Sequence, residues 1–202
     1  VLRDLPAPVY APPLAAALLG TAALIKLGAF PLHFWMPDAY EAARPELAAF
    51  LSTAMKAAAI LFLLRALALA PSGGTVAAAL PALAIATMTF GNLAALRQEG
   101  LQRLLAYSSM AHAGYLLVGI SAWSGMGGGA ANAAAVWLYM AAYMAVNTGA
   151  IAALRLSGAE RVDQLAWLAR RDPALAGLFS LMLVSLAGLP PPARPLQGTQ
   201  AP

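Results

Sequence analysis

The chain has 202 residues, of which 61% are hydrophobic and 10% charged, and it carries a net charge of +4. A soluble domain averages about 45–50% apolar and about 25% charged residues, so a soluble globule, a disordered chain, a collagen-like chain and a nucleic-acid-binding tail are excluded. Cys is absent and only two His are present, which removes disulfides, iron–sulfur ligation and cysteine nucleophiles and makes a protein-ligated haem or zinc site untenable.

The mean hydropathy is +0.73, and the apolar residues fall into blocks of about 17–25, each sufficient to cross a roughly 30 Å hydrocarbon layer. The lipid bilayer is therefore the expected surrounding, and no nucleic-acid partner is expected. The segment Val1 to Val9 lacks the basic stretch and apolar core of a signal peptide. A start at Val reads as a fragment or an incomplete reading frame.

Six spans are predicted, all helical, because each block is about twice the length of a membrane strand and none alternates with period two. The first covers about 14–30, between Pro12-Pro13 and Pro31. The second covers about 47–70 and ends at Pro71-Ser72-Gly73-Gly74. The third, about 75–96, holds Pro81 in its first turns. The fourth, about 104–123, closes at Ser124-Gly125 and the Gly127-Gly128-Gly129 run. The fifth spans about 130–154 and the sixth about 174–189.

Arg44, Arg97, Arg103, Arg155, Arg161, Arg170 and Arg171 all fall in or beside the loops of one side. The opposite turns, 71–74 and 124–129, hold no Lys or Arg. The positive-inside rule puts the arginine side in the cytoplasm. Between Arg161 and Arg171, Val162, Leu165, Trp167 and Leu168 alternate with charges, as in a short interfacial helix. Trp35, Tyr40, Trp123 and Trp167 lie near span ends, where interfacial anchors sit.

The span interiors hold Lys26, Lys56, Arg65 and His112, and no Asp or Glu. A charged residue at mid-span costs about 2.5–3.5 kcal/mol on insertion scales. Lys56 sits about nine residues into the second span, roughly 14 Å deep at 1.5 Å per residue, beyond comfortable snorkelling. A functional role is the sharper reading; pairing with another helix, or a later span start, is the plainer one. Lys26 either snorkels from a helix ending at Phe30, or lies on a helix that breaks at Gly28 and Pro31 and continues to Tyr40. Arg65 lies near the end of its span and snorkels.

His112 is at mid-span with Ser108 and Ser109 three to four residues before it, on the same face. It reads equally as part of a proton path or as a helix–helix contact. Asn132, Asn147 and Thr148 read as path lining or, more plainly, interhelical glue. Mid-membrane amines exchange protons readily, because removal from water favours their neutral form. No carboxylate inside the spans balances these cations, so a counter-charge is expected from outside them.

The run Lys26-Leu27-Gly28-Ala29-Phe30-Pro31-Leu32-His33-Phe34-Trp35-Met36-Pro37-Asp38-Ala39-Tyr40-Glu41 resembles the broken-helix motif of the antiporter-like, proton-translocating subunits of respiratory complex I. Ser52-Thr53-Ala54-Met55-Lys56 and Arg103-Leu104-Leu105-Ala106-Tyr107-Ser108-Ser109 continue the likeness, which is greatest to the subunit N branch of that family and covers about residues 10–191. The resemblance implies an all-α, polytopic transmembrane bundle with a discontinuous helix near Lys26–Pro31, set in a bacterial inner membrane among other membrane subunits of complex I. It implies redox-driven proton translocation, with Lys26 as the broken-helix lysine, Lys56 as a connecting lysine, and a modulating carboxylate on an earlier helix. It implies no cofactor in this chain, with NADH, FMN, iron–sulfur clusters and quinone handled by other subunits.

Residues 1–191 then form the central transmembrane portion. Ser185 to Pro191 looks like the start of a second broken helix that bears a further lysine in the family. Here the Pro-rich, polar 192–202 follows without one, as in a frameshifted or truncated product. Two rivals carry the same motifs: a subunit of a multi-subunit cation/proton antiporter, and a truncated, non-translocating membrane scaffold.

Overall fold

The computed structural model describes residues 12–69, 75–125 and 130–186. Among these the chain is a helical bundle without strands: α1 Pro12–Leu27, α2 Trp35–Ala42, α3 Pro45–Ser52, α4 Ala54–Leu69, α5 Thr75–Ala95, α6 Leu101–Gly125, α7 Ala130–Ser157, α8 Leu165–Arg171 and α9 Pro173–Leu186. Four stretches are long and apolar enough to cross a membrane, namely Pro45–Leu67, Ala77–Ala95, Leu101–Gly125 and Asn132–Ser157. The expected first and sixth spans are shorter within the described residues, as Ala17–Leu27 and Pro173–Leu186. The polar segment 192–202 and most of the expected second break, 187–191, lie outside the described residues.

Helix α6 is the axis of the bundle. It packs most extensively on α5 and also meets α2, α4 and α7, and its buried face runs from Leu101 through Leu105, Met110 and Leu117 to Ile120. Leucine, phenylalanine and isoleucine face outward elsewhere, for example Leu18, Phe62, Ile85 and Leu138. That inversion of the soluble pattern suits helices bordered by hydrocarbon or by further helices.

The first expected break is present at Gly28, just after α1 ends at Leu27. Gly28 has φ +71°, and its N–H donates to the Ile25 carbonyl at 3.0 Å while that of Ala29 donates to Leu24 at 3.0 Å. This pair of bonds is a Schellman stop, which consumes carbonyls otherwise orphaned at the helix end. The Phe30 N–H then donates to Thr87 Oγ1 on α5 at 3.0 Å, and Trp35 Nε1 to the Ile25 carbonyl at 2.9 Å. Trp35 therefore ties the two halves of the break together, beyond the anchoring expected of it. Gly28→Ala is expected to lower the thermal midpoint of the protein in detergent, because a Cβ in this left-handed conformation costs about 1–2 kcal/mol. It would also meet Met36 Sδ at 2.7 Å. An unchanged midpoint would show that the stop tolerates a side chain.

The second expected span is not one helix. It stops at Ser52, and Thr53 (φ −114°, ψ −79°) separates α3 from α4. Ser52 Oγ and Thr53 Oγ1 both donate to the Ala49 carbonyl, at 2.8 and 2.6 Å. Two hydroxyls crowding one carbonyl compete with the helical N–H ladder, a recognised cause of helix distortion.

The arginine-bearing loops assemble on one end of the bundle. Arg103 on α6 pairs with Glu41 and Asp38 of α2, Arg155 with Glu46, and Arg161 with Glu99 and Asp163. The 96–100 and 158–164 loops are clasped by backbone bonds, Leu101 N–H to Glu160 and Val162 N–H to Glu99. The expected interfacial helix appears as a 3₁₀ turn, Val162–Gln164, followed by α8. Its Leu168 is buried and its Trp167 exposed, with the Arg171 guanidinium 5.0 Å from the Trp167 ring.

Candidate functional site

The site gathers around the most buried cation among the described residues. Lys56 lies on the first turn of α4, just after the Thr53 break, with 0% of its surface exposed. Its Nζ donates to the Ser109 carbonyl and, at 2.6 Å, to Ser109 Oγ. The Tyr143 ring lies 5.5 Å from the same nitrogen, a distance at which a ring face attracts a cation. Among the described residues, Lys56 thus meets neutral oxygens and a π-face.

Ser109 gathers three helices. Its Oγ is 3.0 Å from the Tyr40 hydroxyl of α2 and 2.7 Å from the Tyr143 hydroxyl of α7. Tyr40, expected to anchor at an interface, is 1% exposed; the α1–α2 break turns it inward onto α6. One turn further along α7, Asn147 Nδ2 donates to Ser52 Oγ at 2.6 Å. Asn147 is therefore interhelical glue, fixing α7 against α3 beside the Thr53 break. Thr148 is exposed.

His112 follows Ser109 on the same face of α6. Its Nε2 is 2.8 Å from the Leu186 carbonyl and its Nδ1 is 2.6 Å from the Tyr139 hydroxyl. A carbonyl only accepts, so Nε2 holds the proton; in the neutral ring Nδ1 then accepts from Tyr139. The Leu186 carbonyl belongs to α9, so His112 ties α6 to that helix. The His112 and Tyr143 rings lie 4.9 Å apart, and with Tyr139, Ser185 and Leu186 they line a cavity of about 120 Å³.

The predicted residues divide. Lys56, Ser109 and His112 come together. Ser108 is half-buried and forms no hydrogen bond with them among the described residues. Gly28 and Pro31 build the first break. Lys26 is exposed on the flank of α1 and forms no hydrogen bond or ion pair among the described residues. Arg65 is exposed. Tyr40, Tyr139 and Tyr143 were not predicted as site residues; a tyrosine inside an apolar block carries no charge to betray it. Among the described residues, no group of His, Asp and Glu is arranged to hold a metal ion.

Comparison with known proteins places the chain in a family and supports its fold. The family described as NADH:quinone oxidoreductase/Mrp antiporter, TM, matches residues 13–196. NADH-quinone oxidoreductase subunit N 2 of Syntrophobacter fumaroxidans is 42% identical over 195 residues, which cover 94% of this chain and 40% of that protein. A chain of respiratory complex I from Thermus thermophilus with bound aureothin superposes with a TM-score of 0.74 at 36% identity, covering 92% of this chain and 40% of that one. A chain of the Mrp complex from Dietzia sp. gives a TM-score of 0.75 at 28% identity, covering 88% and 33%. The chain thus spans about 40% of the length of the first curated relative it matches.

Proposed function

This chain belongs to the NADH:quinone oxidoreductase/Mrp antiporter transmembrane family, and on that premise we propose that it is a portion of a membrane-arm subunit of a proton-pumping NADH:quinone oxidoreductase. Lys56 and Lys26 relay protons in this reading, with Ser109 and His112 on the path beyond Lys56. NADH, FMN, iron–sulfur clusters and quinone are handled by other subunits of the complex, which are its partners in a bacterial inner membrane. The arginine-bearing end faces the cytoplasm.

The observation that carries the proposal is Lys56: a fully buried amine bonded only to neutral oxygens. An ammonium balanced by a carboxylate is held in its charged form. An amine facing a serine carbonyl, a serine hydroxyl and a tyrosine ring is not locked in that way, so it is free to give up a proton and regain it. The exposed flank of α1 suits Lys26 for a neighbour beyond these helices, where its own exchange partner lies.

The test for Lys26 uses the full-length subunit in the assembled complex, reconstituted into vesicles. Lys26→Ala is expected to lower the protons moved per NADH oxidised severalfold, while the complex still assembles. An unchanged ratio would remove Lys26 from the relay. A second reading, a cation/proton antiporter subunit, is favoured by the likeness to the Mrp complex chain. Under that reading, deletion of the full gene makes growth sodium-sensitive and leaves NADH oxidation intact.

A further inference from the structure

We infer that the Ser109 hydroxyl is a positioning residue that converts the protonation state of Lys56 into the orientation of two tyrosine hydroxyls, Tyr40 on one side and Tyr143 on the other. The inference rests on the reading of Lys56 as a proton carrier.

The argument is a count of hydrogens. Ser109 Oγ has three neighbours at bonding distance: Lys56 Nζ at 2.6 Å, Tyr143 at 2.7 Å and Tyr40 at 3.0 Å. A serine hydroxyl has one proton to donate and two lone pairs, so three bonds saturate it. An ammonium only donates. While Lys56 is charged, Ser109 must accept from it, and its remaining capacity is one donation and one acceptance. One tyrosine therefore donates to Ser109 and the other receives from it.

A neutral amine has a lone pair. Once Lys56 has passed its proton along the relay, Ser109 can turn its single proton onto Nζ and accept from both tyrosines. The tyrosine that had been receiving must then rotate its own hydroxyl and become a donor. No covalent bond changes in this rearrangement. Two O–H rotations, of Ser109 and of that tyrosine, follow one proton loss, and they occur in a buried site where a wrongly oriented hydroxyl leaves a lone pair or proton unmatched, at a cost of about 1–3 kcal/mol.

The geometry makes the device directional. Tyr40 is on α2, whose Asp38 and Glu41 reach Arg103 at the arginine-bearing end. Tyr143 faces His112 and the cavity at the end of α9. The amine itself stays in place throughout, because the Ser109 carbonyl also holds it. Asn147, bonded to Ser52, fixes α7 and with it the position of Tyr143.

The experiment uses the complete complex with the full-length subunit, in vesicles, with two measurements. One is proton translocation during NADH oxidation; the other is the infrared difference spectrum of ring-labelled tyrosine between resting and turning-over enzyme. Ser109→Ala is expected to slow translocation roughly tenfold, equal to about 1.4 kcal/mol, and to erase the tyrosine bands. Ser109→Thr keeps a hydroxyl and restores both. Tyrosine bands that persist in Ser109→Ala, or a threonine variant as impaired as alanine, would overturn the inference.

If Ser109→Ala fails to assemble, Tyr40→Phe and Tyr143→Phe keep the ring and remove one arm each. Each should slow translocation, and wild-type rates in both would overturn the inference. Lys56→Ala measured alongside separates the two levels of the argument. Wild-type pumping in Lys56→Ala defeats the proton-carrier reading. Arrested pumping in Lys56→Ala beside normal pumping and bands in Ser109→Ala defeats only the role of Ser109.

Discussion

Lys56→Ala in the full-length subunit is expected to abolish proton translocation while the complex still assembles and oxidises NADH. The chemistry is lost outright because alanine has no exchangeable proton, and among the described residues no other amine lies within reach of Ser109. The structural penalty is smaller and has two opposed parts. The substitution takes one donor each from the Ser109 carbonyl, which stays within the α6 ladder, and the Ser109 hydroxyl, which keeps Tyr40 and Tyr143, and it opens a cavity beside Tyr143. A lost hydrogen bond costs about 0.5–1.5 kcal/mol, and the lost volume adds to that. Against this, the expense of holding an amine away from water disappears, about 2.5–3.5 kcal/mol on insertion scales. The near-cancellation is why assembly should survive. Lys56→Met, which keeps the length of the side chain, removes the cavity from the comparison and should be equally inactive. Proton-to-electron ratios measured in reconstituted vesicles decide the matter, and a wild-type ratio in either variant would overturn the relay assignment.

Gly114→Val is expected to have the largest effect on folding. Helices α5 and α6 are pressed together at two glycines, one on each. A Cβ on Gly114 would lie 2.8 Å from the Met88 backbone nitrogen and 3.0 Å from the Ala84 carbonyl oxygen; one on Gly91 would lie 2.8 Å from the Ala111 nitrogen. Backbone atoms cannot step aside as a flexible side chain does, so the helices must separate. Overpacking typically costs about 1–3 kcal/mol, occasionally more, and in a bilayer close van der Waals contact is a main force between helices. Because α6 also carries Ser109 and His112, displacement of this pair carries the site with it. The measurement is the yield of folded protein in mild detergent and its thermal midpoint. Near-normal values for both would show that the α5–α6 contact relaxes at little cost. Gly28→Ala should be milder, since the thioether of Met36 is free to move away.

Most of the helices could be read from the chain because long apolar blocks admit only helices in a bilayer, and because the stops were written in Gly, Pro and Ser. The break at Gly28 belonged to that class. The break at Thr53 did not: residues 52–54 are Ser-Thr-Ala, and no Gly or Pro marks the place. The adjacent pair of hydroxyls was the available signal. Tyr40 shows a similar limit. Its position near a span end matched an interfacial anchor, and only the turn at Pro31–Phe34, which re-aims α2, carries it into the core beside Ser109.

The sequence alone determined that this is a polytopic helical membrane chain, which end carries the arginines, and that Lys56 lies too deep to reach water. Each of these follows from composition over a few turns of helix, because hydrocarbon penalises charge wherever it is placed. Tertiary structure decided what Lys56 touches. Ser109 is 53 residues away in the chain, Tyr143 a further 34, and Asn147 is 95 from Ser52. Hydrogen bonds depend on position to within a few tenths of an ångström and on which face each helix turns to its neighbour. No local pattern encodes that, since it is settled by how close α5 and α6 pack and by where α1 and α3 stop.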